Sequence, residues 1–209
     1  MTFVTLEGGE GSGKSTQLRL LTEALARAGA PHLCTREPGG TPEAESIRAL
    51  LVEGEASQWD AYTETLLFMA ARVDHVRKVI RPALREGTLV ICDRFMDSTF
   101  AYQGAGKGVE EDFLHLLHRF TLEDFRPDLT LILDIDPEEG LRRAQARRGH
   151  ETRFEAMDME FHHRVRAAFL TIARHEPQRC AVIDASAAQE AVHREIMEHL
   201  RQREMAAES

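Results

Sequence analysis

The sequence predicts an α/β fold with a five-stranded, mostly parallel sheet covered by helices on both faces, and three observations carry that expectation. Five short runs are apolar on consecutive positions, as in strands buried on both faces. Longer stretches of helical periodicity separate them, and strand–helix alternation brings right-handed crossovers and parallel pairing. A glycine-rich loop joins the first apolar run to the first helical stretch.

In chain order, TFVTLE (2–7) is the first strand and 14–28 the first helix, ended by Ala28-Gly29-Ala30-Pro31. HLCT (32–35) is the second strand, followed by helical patterns at 43–52 and 60–86, the latter stopped by Glu86-Gly87. TLVICD (88–93) is the third strand, with helical stretches at 95–103 and 110–122. Pro127 precedes the fourth strand, LTLILDID (129–136), and helices are expected over 137–148 and 155–175. CAVIDA (180–185) and a helix over 187–204 complete the set. The 209 residues suit one well-buried domain over 1–209 and are short for two, and the sequence holds no repeat or low-complexity linker.

Charge narrows the partners. With 35 acidic against 26 basic side chains the net charge is −9, which argues against a general nucleic-acid binder, though local arginine clusters can still hold small anions. The 3 cysteines have no zinc-like or C-x-x-C spacing and suit a reducing cytoplasm. No signal-peptide pattern is present, and no apolar run approaches the roughly 20 residues that span a bilayer, so no membrane partner is expected.

Residues 8–15 read GGEGSGKS and fit G-x-x-x-x-G-K-[ST], with a strand before and a helix after. Gly8, Gly9, Gly11 and Gly13 let consecutive backbone N–H groups turn toward one anion. The helix beginning near Lys14 adds its unpaired N–H groups and positive dipole end. Lys14 is then placed for the β- and γ-phosphates and the Ser15 hydroxyl for Mg²⁺; with Ser12 and Thr16, residues 8–16 form the expected ATP-binding segment. Glu10 is the anomaly, a carboxylate within a loop built for anions.

Many protein classes use such a loop. A guanine-reading switch needs an Asn-Lys-x-Asp segment, and this chain contains no asparagine. Motor ATPases bring a larger core and further domains. A small nucleotide kinase instead needs a second anionic substrate held in line, an acceptor pocket and a closing segment. Phe68 and Arg72 share a helix face at i and i+4, so a ring could stack on a base while a guanidinium bonds its edge; the same spacing also suits a core phenylalanine beside a surface arginine. Asp93 and Arg94 end the third strand, where ligands of open parallel sheets gather, and are placed to assist a metal and bind phosphate. Ser98, Thr99, Tyr102 and Gln103 follow on the next helical segment. Arg36-Glu37-Pro38-Gly39-Gly40-Thr41 is a turn that allows close backbone approach to a ligand, with Arg48 about two helical turns beyond. The stretch LRRAQARRGHETRFE (about 142–155) reads as an arginine-rich lid broken by Gly149, with Arg147, Arg148 and Arg153 near the break and Arg142 and Arg143 on a solvated helix face. His162-His163 reads as a solvated helix pair.

The segments FVTLEGGEGSGKST, TREPGGT, TLLFMAARVDH, VICDRFMDSTFAYQG, PDLTLILD and the arginine-rich stretch ending RFE resemble, in order, the thymidylate kinase (dTMP kinase) family of the nucleoside-monophosphate kinase superfamily. The resemblance implies the P-loop NTPase fold, transfer of the ATP γ-phosphate to dTMP with Mg²⁺, and a homodimer. It implies Phe68 stacked on thymine, Arg72 at its edge, Thr99 and Gln103 around the base, and Arg48 and Arg94 on the acceptor phosphate, with Ser98 offering a short polar group to the same dTMP cleft. Tyr102 stands where the family crowds a ribose 2′-OH. Ser15 and Asp93 would serve the metal, Glu37 would face both the acceptor phosphate and the metal, and Glu10 would face the 3′-OH of the acceptor sugar, which accounts for its sign. Because Gly11 follows Glu10, the catalytic arginine would come from the lid, among Arg147, Arg148 and Arg153, acting beside Lys14. Two positions depart from the family: Phe95 stands where tyrosine is usual, and Thr152 where an aspartate precedes the arginine. Kinases of other deoxynucleotides or deoxynucleosides, and an idle nucleotide-binding protein, are the alternatives.

Overall fold

The computed structural model describes residues 2–54, 58–146 and 153–207. Five parallel strands, β1 (Phe3–Glu7), β2 (His32–Arg36), β3 (Leu89–Asp93), β4 (Leu129–Asp134) and β5 (Cys180–Asp184), form one sheet in the order β2-β3-β1-β4-β5. Each follows the apolar run expected for it. The pairing Leu6 with Asp93 on one side and Leu6 with Leu131 on the other puts the end of β1 at the centre of the sheet. The connection after β1 leaves toward β2, whereas the one after β3 crosses to β4, and ligands of such sheets bind where adjacent connections part.

Alternation along β1 divides the core. Val4 and Leu6 pack with Leu21 and Leu25 of α1 (Lys14–Arg27) and with Val192, Ile196 and Leu200 of α9 (Gln189–Ala207). Phe3 packs on the opposite face with Met69, Val76, Phe95 and Leu122, edge-on to Phe95 at 4.9 Å between ring centres. That face is covered by α3 (Ala61–His75) and α6 (Glu111–Leu122), and a third cluster joins Tyr102 and Ile132 to Phe161, Val165 and Phe169 of α8 (Met159–His175).

Helix starts follow their caps. Thr41 Oγ1 accepts from Ala44 N to open α2 (Pro42–Val52), and Asp60 caps α3 through the N–H groups of Tyr62 and Thr63. Asp158 caps α8 through Phe161 N, which is why that helix starts at 159 and not at the expected 155. The helix expected over 60–86 is interrupted: a wide π-helical turn spans Val76–Ile80 between α3 and α4 (Arg81–Arg85). Pro82 explains it, since it has no N–H to give to the preceding turn and its ring crowds that carbonyl. After α5 (Met96–Thr99) a second wide turn, Phe100–Gly106, lets the chain pass close to α8, where a Cβ on Gly106 would lie 2.5 Å from the Phe161 ring. Among the described residues no helix is long and apolar enough to cross a membrane.

The phosphate loop packs backbone to backbone on α7 (Pro137–Gln145). A Cβ on Gly11, at φ 67°, would lie 1.8 Å from Gly140 O, and one on Gly140 would lie 2.4 Å from Glu10 O. No side chain, arginine included, fits at position 11 in this packing. Gly140→Ala is therefore expected to destabilise the fold by about 1–3 kcal/mol despite alanine's better helix propensity, because overpacking against backbone outweighs it; urea unfolding of the two proteins measures the difference.

Candidate active site

Gly8, Gly11 and Gly13 take positive φ (135°, 67° and 92°) as the chain turns from β1 into α1. The cap residue of α1 is Gly13, which has no side chain to bond the N–H groups of the first turn, and these lie at the helix's positive end beside the loop. Lys14 folds back over this loop, its Nζ donating to Gly8 O (3.0 Å), Gly9 O (2.8 Å) and Ser12 Oγ (3.2 Å). Burial and the neighbouring Arg94 bring its amine down to about 8. Ser15 Oγ donates to Asp93 Oδ2 at 3.2 Å. A hydroxyl and a carboxylate side by side are hard oxygen donors, and they fit a divalent cation that takes its remaining ligands from phosphate and water.

Beside the loop lies a cavity of about 100 Å³. It gathers Glu10, Glu37, Arg48, Phe68, Arg72, Arg94, Ser98, Thr99, Tyr102 and Gln103, which the loops after β1 and β2, α2, α3 and the segment after β3 deliver from distant parts of the chain. A larger cleft of about 510 Å³ runs along Gly11–Ser15 and Asp93. The two share Glu10, Glu37, Arg48 and Arg94. Thr16 lines a third cavity with Gly13, Gln17 and Arg143.

Arg94 ties loop and cavity together. It leaves β3 at φ 68°, a conformation uncommon outside glycine, and donates through Nη1 to Gly8 O and Ser98 Oγ, and through Nη2 to Glu10 Oε1 (2.9 Å) and Tyr102 Oη (3.0 Å). Burial works against its charge, but Tyr102, Glu10, Asp93 and Glu7 outweigh burial and hold the guanidinium above its ordinary value. Tyr102 Oη also donates to Glu10 Oε1 at 2.8 Å. Burial would raise the Glu10 carboxyl, yet Arg94, Lys14 and the Tyr102 hydrogen bond bring it below the usual carboxylate value. Glu10 thus turns away from the anion-binding N–H groups and toward the cavity. Phe68 lines the cavity wall, and Arg72 is buried, so the core-plus-surface alternative for this pair does not hold.

Glu37 lines the same cleft as Ser15 and Asp93, and its oxygens also have buried partners: Oε2 accepts from Arg72 Nε at 2.6 Å and Oε1 lies 3.1 Å from His75 Nδ1. Several expectations need correction. Arg153 was expected over the transferring phosphoryl group; it is instead buried, with Nη1 donating to Leu51 O and Nη2 2.6 Å from Glu64 Oε2, because a buried guanidinium requires a counter-charge. Arg147 and Arg148 lie outside the described residues. Arg142 and Arg143 pair with Glu139 on the surface of α7, as a solvated face should. The Gly39-Gly40 turn makes room for the protein's own side chains: a Cβ on Gly40 would lie 2.3 Å from His75 Nε2, and one on Gly39 2.4 Å from Glu45 Oε1. His162 is buried, its Nε2 without a hydrogen-bond partner among the described residues, while His163 is exposed beside Glu138.

Sequence reasoning missed the groups beneath the site. Glu7 is fully buried, with Oε1 accepting from Phe95 N and Ser98 N and Oε2 from Ser98 Oγ; burial, then Asp97, push its carboxyl up to about 7. His75 bridges Glu37 to Thr35 Oγ1, 2.8 Å from its Nε2. Glu64 sits one helical turn before Phe68. A carboxylate at the end of an apolar strand, and another within an apolar helix face, were the signals available for the two glutamates.

Comparison with known proteins agrees with this arrangement. The profile of the family described as Thymidylate kinase matches residues 6–196. A thymidylate kinase of Bradyrhizobium sp. (strain ORS 278) is 52% identical over 203 residues, covering 96% of this chain and 90% of that protein. One from Caulobacter vibrioides is 54% identical over 190 residues, 91% of each chain. The crystal structure of thymidylate kinase from Ehrlichia chaffeensis superposes with a TM-score of 0.78 at 38% identity, covering 95% of this chain and 98% of that one. A phosphate loop on the central strand, a cavity joined to it through two arginines, and matches spanning nearly the whole sequence lead to one assignment: this chain belongs to the thymidylate kinase family.

Proposed function

We propose that this chain phosphorylates dTMP to dTDP, using ATP and Mg²⁺. The observation that carries the reading is the junction of the two cavities at Glu10, Glu37, Arg48 and Arg94. An acceptor phosphate held by Arg48 and Arg94 there faces a donor phosphate cradled by residues 8–16. An oxygen of the acceptor phosphate attacks the γ-phosphorus, the bond from that phosphorus to the β–γ bridging oxygen breaks, and ADP leaves with the electron pair. Little covalent work falls to the protein, so positioning and charge do the catalysis and no general base is invoked.

Lys14 exchanges its bonds to Gly8 O, Gly9 O and Ser12 Oγ for phosphate oxygens. Ser15 and Asp93 are the residues that would hold Mg²⁺, which when bound neutralises charge on the β- and γ-phosphates. Arg147 and Arg148 are the lid arginines assigned to the transferring group. Phe68 stacks on thymine, Arg72 and Gln103 bond its edge, and Ser98 and Thr99 shape the wall. Tyr102 crowds the ribose 2′ position, and Glu10 accepts from the 3′-OH, for which an acceptor-only group is suited. The reaction is assigned to the cytoplasm, in keeping with free thiols at Cys34, Cys92 and Cys180.

The protein is further proposed to work as a homodimer. Leu66 on α3 is 50% exposed and lines a groove with Met69, Ala70, Val73 and Leu117, next to the charged Asp74, Arg77 and Lys78, and Phe120 on α6 is 81% exposed. A second copy is the occupant that suits an apolar face of this kind.

ADP release measured with dTMP, dUMP, dCMP, dGMP, UMP or thymidine as acceptor is the direct test. Strong turnover with dTMP, weaker with dUMP and weaker still with UMP is expected; ATP hydrolysis indifferent to the acceptor would overturn the reading. Because Lys14 titrates near pH 8 in the free protein and bound triphosphate favours its charged form, ATP binding takes up a proton above that pH. Affinity should fall as pH rises through 8, by at most about tenfold per unit, as calorimetry in buffers of different ionisation enthalpy can follow. Phe120→Asp should convert the dimer to monomer in light scattering.

A further inference from the structure

Glu64 is fully buried on α3 and receives three donors. Gln103 Nε2 donates to its Oε1 at 2.8 Å, while Lys107 Nζ and Arg153 Nη2 lie 2.8 and 2.6 Å from its Oε2. A carboxylate facing two cations has no hydrogen to give, so the amide of Gln103 can meet it only with its NH₂ end. Gln103 is 1% exposed and lines the acceptor cavity. Its Oε1 has no hydrogen bond from the described residues, and with the NH₂ end committed to Glu64 it is the atom this side chain offers to a ligand. On the neighbouring wall Arg72 can only donate, and three of its five N–H groups are already engaged with Glu37, Thr99 and Phe95.

We infer that Glu64 sets the hydrogen-bond polarity of the acceptor cavity. Through Gln103 it presents an acceptor beside the donors of Arg72, which matches a pyrimidine with N–H at ring position 3 next to a carbonyl at position 4. Cytosine has the reverse pattern, a bare ring nitrogen next to an amino group, and leaves both protein groups facing their own kind. The inference rests on the proposed acceptor reading and deepens it: Glu64 touches no substrate and is a positioning residue for base selection. Arg153, expected at the phosphates, has its place here, where with Lys107 it offsets the buried charge that holds Gln103.

Glu64→Gln supplies an amide that can either donate or accept, so Gln103 is free to turn over. The ratio of kcat/KM for dTMP to that for dCMP is then expected to fall about 10- to 100-fold, the range of one lost polar discrimination. Most of the change should appear in KM for dTMP, with KM for ATP unaltered. Loss of packing alone lowers both acceptors alike and leaves the ratio intact, so an intact ratio in a folded variant overturns the inference. Glu64→Gln with Lys107→Met removes a cation together with the anion and provides the same readout should the single variant not fold. Failure of unsubstituted protein to turn over dTMP would overturn the acceptor reading and the inference with it, a result visible before any variant is made.

Discussion

The site depends on a positive charge kept away from most of the solvent. Arg94 is only 19% exposed, and such a guanidinium is tolerable only where acceptors surround it. Those acceptors come from separate parts of the chain: Gly8 O and Glu10 from the loop after β1, Ser98 and Tyr102 from the segment after β3. The guanidinium also lies 4.8 Å over the Tyr102 ring, so packing and charge fix the same geometry. Because β1 and β3 are neighbours in the sheet, the two loops that supply these groups start side by side. Strand order, loop conformation and the shape of the cavity beside the loop are thus one arrangement seen at three scales.

Steric constraint supports the electrostatics. Gly11 and Gly140 bring two backbones together where no Cβ fits, which locks the phosphate loop to the helix leading into the arginine-rich segment. Gly40 does the same for His75, whose ring then reaches Glu37 and holds the carboxylate that pairs with Arg72. Glycine at these places serves close packing of the protein on itself, and the cavity walls inherit their rigidity from it.

Buried carboxylates give the site its polarity. Glu7, Glu37 and Glu64 lie below the surface, and each directs donors that would otherwise have several orientations. Glu7 collects the N–H groups of Phe95 and Ser98, Glu37 turns Arg72, and Glu64 turns Gln103. Taking such groups out of water is costly, so each is met by a cation, by backbone donors or by both. The residues facing a ligand can therefore be few, because a second layer has already chosen their orientation.

Local pattern made much of this legible in the sequence. Buried parallel strands give consecutive apolar runs, phosphate loops need glycines at fixed offsets, and helix caps need short polar side chains, so the five strands and the loop from Gly8 to Ser15 could be read directly. The interruption at Val76–Ile80 had its cause in view at Pro82, although helical periodicity alone ran past it. Ten residues lining the cavity beside the loop were singled out from the sequence, whereas Pro38, Val52 and Phe154, which also line it, were not, and neither was what each side chain bonds to, as Glu37, Arg153 and His162 demonstrate. A residue's type and spacing determine which element it joins and which face of that element it occupies. Which opposite charge it meets depends on partners 35 residues away for Glu37 and Arg72, or 43 for Glu64 and Lys107, and only the closed sheet with its packed helices brings them within reach. Pairing of buried charge is a long-range condition, decided when water is excluded, and so it belongs to the tertiary structure.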